Sequence, residues 1–282
     1  MTCKNISILG CGWLGLPLAR ALVATDFFVK GSTTSQGKLS VLAQSRIEPF
    51  LLSLNENEVM GNIDAFLENS EVLIIDIPPK LRGNASENFV AKIRNLIPFL
   101  EKSSVTKVLF VSSTSVYADD NLIVTEETTA RPETQGGKQL LEVEKMLQNN
   151  KNFETTVLRF GGLIGDDRHP VRMLSGRENI ENPNGAINLI HQKDCIAIVL
   201  MILGQAQNDR LVWQEIFNAV APFHPTREEY YTQKAIELGL FLPRFNKQKP
   251  SVGKVISSEK LIKTLGYRFE VLLYKGSITQ SV

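Results

Sequence analysis

The stretch ISILGCGWLGLPLARA, Ile6 to Ala21, decides how the rest of the chain is read. Ile6-Ser7-Ile8-Leu9 is an apolar run of the length of a short buried strand. Gly10, Gly12 and Gly15 follow at G-x-G-x-x-G spacing, and Leu14, Leu18, Ala21 and Leu22 then recur at helical spacing. Strand, glycine turn and helix in this order are the context in which the spacing reads as a dinucleotide-binding turn. Gly10 allows the tight turn, Gly12 lets a pyrophosphate approach the backbone, and Gly15 lets the helix pack close to its strand. Trp13, Leu14 and the glycines present amides at the positive end of the helix dipole. The alternative is a glycine-rich turn that holds no ligand.

The remainder of the chain sets bounds. Its 282 residues allow one large domain or somewhat more, and a hydrophobic fraction of 43% supports a full core. The charge balance, 31 basic against 30 acidic residues, leaves no footprint for nucleic acid or an anionic membrane. No apolar run reaches the length of a membrane span, and no signal-peptide pattern precedes the first strand. Cys3, Cys11 and Cys195 are scattered, as are His169, His191 and His224, so no metal-type spacing exists and a reducing cytoplasm is the expected compartment.

Downstream, strands and helices alternate. Phe27 to Ser32 reads as a second strand, Ile47 to Leu54 as a third, Glu71 to Ile77 as a fourth, Lys107 to Ser112 as a fifth and Glu154 to Phe160 as a sixth. Helices are expected over Gln36 to Gln44, Ser86 to Glu101 and Gly137 to Gln148. The pattern predicts an α/β Rossmann fold, a doubly wound parallel sheet with right-handed crossovers. The apolar face Phe89, Ile93, Leu96, Ile97 and Leu100 covers the sheet and is also a candidate dimer face. Residues 1–165 form the NAD(P)-binding part. Residues 166–282 read as a mixed segment that adds the last strands and a small substrate-side lobe without a core of its own. Its expected pieces are a strand at Ile187 to Ile190, a helix at Asp194 to Leu203, a strand at Leu211 to Asn218, and helices at Thr226 to Gly239 and Ser258 to Gly266.

The cofactor cleft is expected at the carboxyl ends of the strands. A fold selective for NAD places an acid at the end of the second strand, but Lys30 to Ser35 contains none. Ser32, Thr33, Thr34 and Ser35 stand there, with Lys38 one turn beyond, and hydroxyls with a cation suit a 2′-phosphate. The window therefore favours NADP over NAD, with a simple helix-capping cluster as the other reading. Asp76, Ile77 and Pro78, at the end of the fourth strand, line the same cleft.

The order of ILGCGWLG, VLIIDIPP, VLFVSSTSVYADD, GGKQLLEVEK, VLRFGGLIGDDR and INLIHQKDC resembles the extended short-chain dehydrogenase/reductase superfamily, of the NAD-dependent epimerase/dehydratase type. FNAV, TREEYY and KLIKTLGY continue the likeness toward the C-terminus. The resemblance implies a seven-stranded Rossmann sheet, an NAD(P) cofactor and a small polar or nucleotide-linked substrate. The G-x-G-x-x-G form, with Leu9 where the extended enzymes carry glycine, is similar to an atypical branch described as nucleoside-diphosphate-sugar epimerases.

The family's Tyr-x-x-x-Lys pair maps here to Thr134 and Lys138. Lys138 would hold the nicotinamide ribose, but a threonine hydroxyl is too weak an acid to replace the phenol. Ser113 is the position that orients a substrate carbonyl or hydroxyl. Thr114 stands where dehydratases carry an acid, Tyr117 is the nearest phenol, and Arg168 in the Gly165-Asp166-Asp167-Arg168 turn is placed for an anionic substrate group. His191 and Asp194 resemble the far wall of the cleft. Two functions follow: an oxidoreductase or epimerase-like enzyme whose proton donor is unassigned, or an NADP-binding sensor without redox chemistry.

Overall fold

The computed structural model describes residues 5–79, 87–120, 122–205 and 212–271. Seven strands form one parallel sheet: β1 Asn5–Leu9, β2 Phe28–Thr33, β3 Glu48–Leu51, β4 Val72–Ile75, β5 Lys107–Ser113, β6 Glu154–Phe160 and β7 Ile216–Ala219. Their spatial order is β3-β2-β1-β4-β5-β6-β7. The order reverses beside β1, between β1 and β4, which is where an open doubly wound sheet forms its ligand crevice.

Strand composition explains the layering. All four residues of β4 are buried, as are Ile6, Ser7, Ile8 and Leu9 of β1. Strands buried on both faces need helices on both sides. One face is covered by α1 Gly15–Ala24, α2 Leu39–Gln44, α7 Gln192–Gln205 and α9 Glu259–Leu265, with Leu18, Leu22, Ile198, Ile202 and Leu261 packed on Ile6, Ile8 and Ile74. The other is covered by α3 Ile63–Leu67, α4 Phe89–Lys102 and α5 Gln135–Gln148, with Phe66, Ile93, Leu96, Leu140 and Val143 packed on Leu73, Ile75 and Phe110.

Several boundaries differ from the sequence reading. The third strand stops at Leu51. Ser53–Leu54 instead pairs antiparallel with Val59–Met60 in a small hairpin. The seventh strand begins only at Ile216, because Gln214 adopts φ +64° and turns the chain, and Leu211 lies outside the described residues. α4 begins at Phe89 behind the Asn88 cap, and Ser86 also lies outside the described residues. Of the α4 face, Phe89, Ile93, Leu96 and Leu100 are buried within this chain and Ile97 is half-buried.

The second half of the chain enters the sheet as β7 and covers it with α7 and α9. It also builds a lobe at the carboxyl end from α6 Val171–Leu174, α8 Arg227–Glu237 and the parallel pair Gly162–Ile164 with Leu189–His191. A capping box between Thr226 and Glu229 opens α8. The lobe does bury an apolar centre of its own, Ile164, Val171, Ile187, Leu189, Tyr230 and Tyr231, which the scattered pattern had not predicted. Among the described residues no helix is long and apolar enough to cross a membrane.

Candidate functional site

The glycine turn sits at the carboxyl end of β1, between β2 and β4. Gly10 has φ +108°, and a Cβ there would stand 2.4 Å from the Asp76 carbonyl oxygen. A Cβ on Gly15 would stand 2.1 Å from the Gly10 carbonyl oxygen, so α1 lies against the turn. Both positions are closed to larger residues by backbone. Gly12 differs, since a Cβ there would meet nothing within 4 Å. It faces open space and leaves the backbone approachable, as a diphosphate requires.

Ser32 holds the turn in place. Its Oγ accepts from the Gly10 N–H at 2.9 Å, and its carbonyl accepts from the Cys11 N–H at 2.8 Å. A cavity of about 280 Å³ opens beside it, lined among others by Gly10, Gly12, Ser32, Thr33, Thr34, Lys38, Asp76, Ile77 and Pro78. This corrects part of the reading of the second strand's end. Ser32 is buried and committed to the turn, and Thr33 Oγ1 accepts from the Ser35 N–H at 3.2 Å. Thr34, Ser35 and Lys38 are the exposed groups there. The Leu14 side chain is buried in the core, as its place in the apolar helical stripe requires, which leaves its backbone at the turn.

Asp76 introduces a carboxylate at the helix N-terminus. It accepts from the Gly15 N–H, and burial pushes its pKa up to about 8 against that hydrogen bond. The Cys11 thiol is pushed up to about 12, mainly by burial and then by Asp76. Cys11 and Cys195 are free and buried, while Cys3 lies outside the described residues. Among the described residues no cluster of His, Cys, Asp and Glu could hold a metal ion.

At the end of β5, Ser113 caps a short 3-10 turn, Thr114–Val116, its Oγ accepting from the Ser115 N–H at 3.2 Å. Helix α5 packs directly on this turn: a Cβ on Gly137 would stand 2.3 Å from the Ser115 carbonyl oxygen. Ser113, Thr134 and Lys138 are thereby brought to one end of the sheet. Thr134 is the α5 N-cap, its Oγ1 accepting from the Gly137 N–H at 3.0 Å, so the hydroxyl already serves the helix. Lys138 is exposed one turn further, and Thr114 is buried.

Tyr117 is turned into the core, which corrects its candidacy for the cleft. Its hydroxyl donates to Asn218 Oδ1 at 3.0 Å and accepts from Arg159 Nη1 at 2.6 Å. Burial raises its pKa despite the neighbouring guanidinium. Arg159 in turn pairs with Glu144 at 2.5 Å, and Glu144 accepts from Ser112 Oγ at 2.5 Å. This buried network joins β5, α5, β6 and β7, and the sequence reading missed it. The signal was present: Glu144 interrupts the apolar α5 face of Leu140, Val143 and Leu147, and Arg159 interrupts an otherwise uncharged strand end.

Arg168 is exposed in the turn after β6. Its guanidinium sits over the Trp13 ring at 4.9 Å from the centroid, and the Trp13 indole N–H donates to Asp167 Oδ1 at 2.9 Å. His191 Nε2 lies 3.5 Å from Asp166 Oδ1. Asp194 is buried and accepts from the Tyr267 hydroxyl at 2.6 Å, a structural role. In the lobe, His169 shares a 2.9 Å hydrogen bond with the Tyr230 hydroxyl, and burial pulls its pKa down to about 4.

No family model matches the chain. Protein YeeZ of Escherichia coli strain K12 is 32% identical to it over 270 residues, 95% of this chain and 96% of that protein. The chain belongs to the YeeZ family. Among solved structures, the UDP-glucose 4-epimerase of Thermotoga maritima, with UDP-glucose, superposes at a TM-score of 0.77 and 17% identity, covering 95% of this chain and 94% of its own. The UDP-glucuronic acid 4-epimerase of Bacillus cereus, in complex with NAD, gives 0.76 and 17% over 95% and 92% of the two chains. This member of the YeeZ family thus has the fold of the NAD-dependent epimerase/dehydratase type of short-chain dehydrogenase/reductases.

Proposed function

We propose that the chain binds a nicotinamide dinucleotide at Gly10 to Gly15 and acts as an oxidoreductase or epimerase-like enzyme on a small polar or nucleotide-linked substrate. The observation that carries this reading is the contrast within the turn. Gly10 and Gly15 are closed by backbone, whereas Gly12 opens on free space at a helix N-terminus. The solved relatives in fold, which carry NAD and UDP-sugars, support the same assignment.

When bound, the nicotinamide would supply hydride transfer. The protein's part is binding and orientation. The Trp13 and Leu14 amides would face the diphosphate, since those of Gly10, Cys11, Gly12 and Gly15 already donate within the protein. Lys138 would hold the ribose on its nicotinamide side, and Ser113 would orient the group to be oxidised or reduced. Thr134 provides no phenol and Tyr117 is held in the core, so any proton moves by a route other than a tyrosine–lysine couple. NADP is the preferred dinucleotide on this reading, since Thr34 and Lys38 are exposed at the strand end and residues 30–35 contain no acid, although Glu87 lines the same cavity with Lys92.

Titration with NADPH and NADH, followed by nicotinamide fluorescence, tests this directly. Gly12→Ala should weaken binding by roughly tenfold or more, equivalent to about 1.4 kcal/mol, and leave the unfolding midpoint unchanged. Failure of the wild-type chain to bind either dinucleotide, or equal binding by Gly12→Ala, would overturn the assignment. Tighter binding of NADH than NADPH would overturn the preference alone. Hydride exchange from labelled NADPH into a panel of carbonyl substrates then separates an enzyme from a chain that only binds.

A further inference from the structure

Trp13 follows Gly12 in the turn, yet the second half of the chain holds it. Its indole N–H is anchored on Asp167 at 2.9 Å. Its carbonyl accepts from Gln192 Nε2 at 2.6 Å. Gly165 packs against the ring edge so closely that a Cβ there would stand 2.7 Å from Trp13 Cζ2. Arg168 then covers the ring at 4.9 Å. The Arg168 backbone is fixed as well: its carbonyl accepts from the Gly165 N–H at 2.8 Å, and its own N–H donates back to the Gly165 carbonyl at 3.1 Å.

Among the described residues no carboxylate forms an ion pair with the Arg168 guanidinium. Asp166 lies near His191 and Lys193, and Asp167 holds the indole. A surface arginine usually wanders through many rotamers. This one has a pinned backbone and an aromatic platform that belongs to the anion-favouring turn. The arrangement lowers the ordering cost of a guanidinium beside the site where negative charge is expected.

The geometry points to Arg168 as a ligand of the dinucleotide's diphosphate, with Trp13 as the platform that sets it there. The inference rests on the reading of Gly10 to Gly15 as a dinucleotide site. It moves Arg168 from the substrate's anion to the cofactor's. A nucleotide-linked substrate carries the same diphosphate chemistry, so the two sources need separate arms in the experiment.

Binding of NADH, ADP-ribose, adenosine and UDP to the wild-type chain, Arg168→Gln and Trp13→Ala is measured by calorimetry. Arg168→Gln should weaken NADH and ADP-ribose alike, by roughly tenfold to a hundredfold, the range of a hydrogen bond to a charged group. Adenosine, which has no phosphate, should bind as to the wild type. Trp13→Ala should reproduce most of the loss, and the double variant should lose little more. The salt dependence of NADH binding should flatten in Arg168→Gln. NADH and ADP-ribose binding within twofold of wild type in Arg168→Gln would overturn the inference while leaving the dinucleotide site standing. A loss confined to UDP would return Arg168 to the substrate. Absence of dinucleotide binding by the wild-type chain would remove both readings.

Discussion

Asp76 sets a carboxylate against the Gly15 amide, at a helix end whose dipole otherwise favours an incoming anion. Burial holds its pKa up to about 8, so at neutral pH the group is mostly protonated and the turn carries no opposing charge. Neither neighbouring thiol titrates in that window: Cys11 is pushed up to about 12, and Cys195 well above its ordinary value, both first by burial. The diphosphate of NADH keeps its charge throughout. The dissociation constant for NADH should therefore be flat from pH 6 to 7.5. Above about 8 it should rise, approaching tenfold per pH unit as the aspartate forms. Stability follows the same sign. A pKa raised from 3.8 to about 8 gives a contribution that is complete below pH 3.8 and lost as pH climbs through 8, because the folded chain binds the extra proton. Asp76→Asn should flatten both profiles and gain stability over the wild type at pH 9 relative to pH 5. Parallel NADH profiles for the two proteins between pH 6 and 9 would refute the coupling. The sequence placed Asp76 at the cleft from its position after an apolar strand. Its hold on Gly15 depends on a residue 61 positions away in the chain and was not legible there.

Elements were readable wherever one local pattern decided them. β1, β6 and α5 follow from an apolar run or a helical stripe. The strand ends that failed were decided by backbone features with no apolar signature, such as the left-handed Gln214 before β7. Polar contacts between elements were equally hidden, although their residue types interrupted the pattern. The network of Ser112, Glu144, Arg159, Tyr117 and Asn218 is the main case, and it fixes how α5 sits on β5 and β6. It also makes a testable distinction for Tyr117. Tyr117→Phe removes the acceptor for Arg159 Nη1 and the donor to Asn218 Oδ1, both in the buried interior. The expected loss of folding stability is about 1–3 kcal/mol, the cost of leaving such groups unpaired. Arg159 keeps its Glu144 partner, so the fold survives. Dinucleotide affinity and any turnover should stay within about twofold of the wild type. A fall in turnover near a thousandfold, the scale of a lost general acid or base, would instead place the hydroxyl in the chemistry.

At the scale of the whole molecule, the sequence reads residues 1–165 as the dinucleotide-binding part and the remainder as segments woven into it. The folded chain gives that interweaving its physical content. β7 pairs in register with β6, Ile216 opposite Val157 through Ala219 opposite Phe160. α7 and α9 bring Cys195, Ile198, Ile202, Leu261 and Leu265 into the same apolar cluster as Ile6, Ile8, Leu18 and Leu158. Residues 1–165 alone would expose that face of the sheet to water and leave β6 as an open edge. The glycine turn would also lose the Asp167, Arg168 and Gln192 contacts that hold Trp13. The fragment 1–165 is therefore expected to lack a cooperative thermal transition, to bind a hydrophobic dye, and to show no NADH binding, while the full chain unfolds in one step. Circular dichroism and calorimetry on both proteins check this. A fragment that melts cooperatively and binds NADH within tenfold of the full chain would show that the glycine-turn half stands by itself. In that event the second half would be a lobe added to a complete domain, not part of the sheet's foundation.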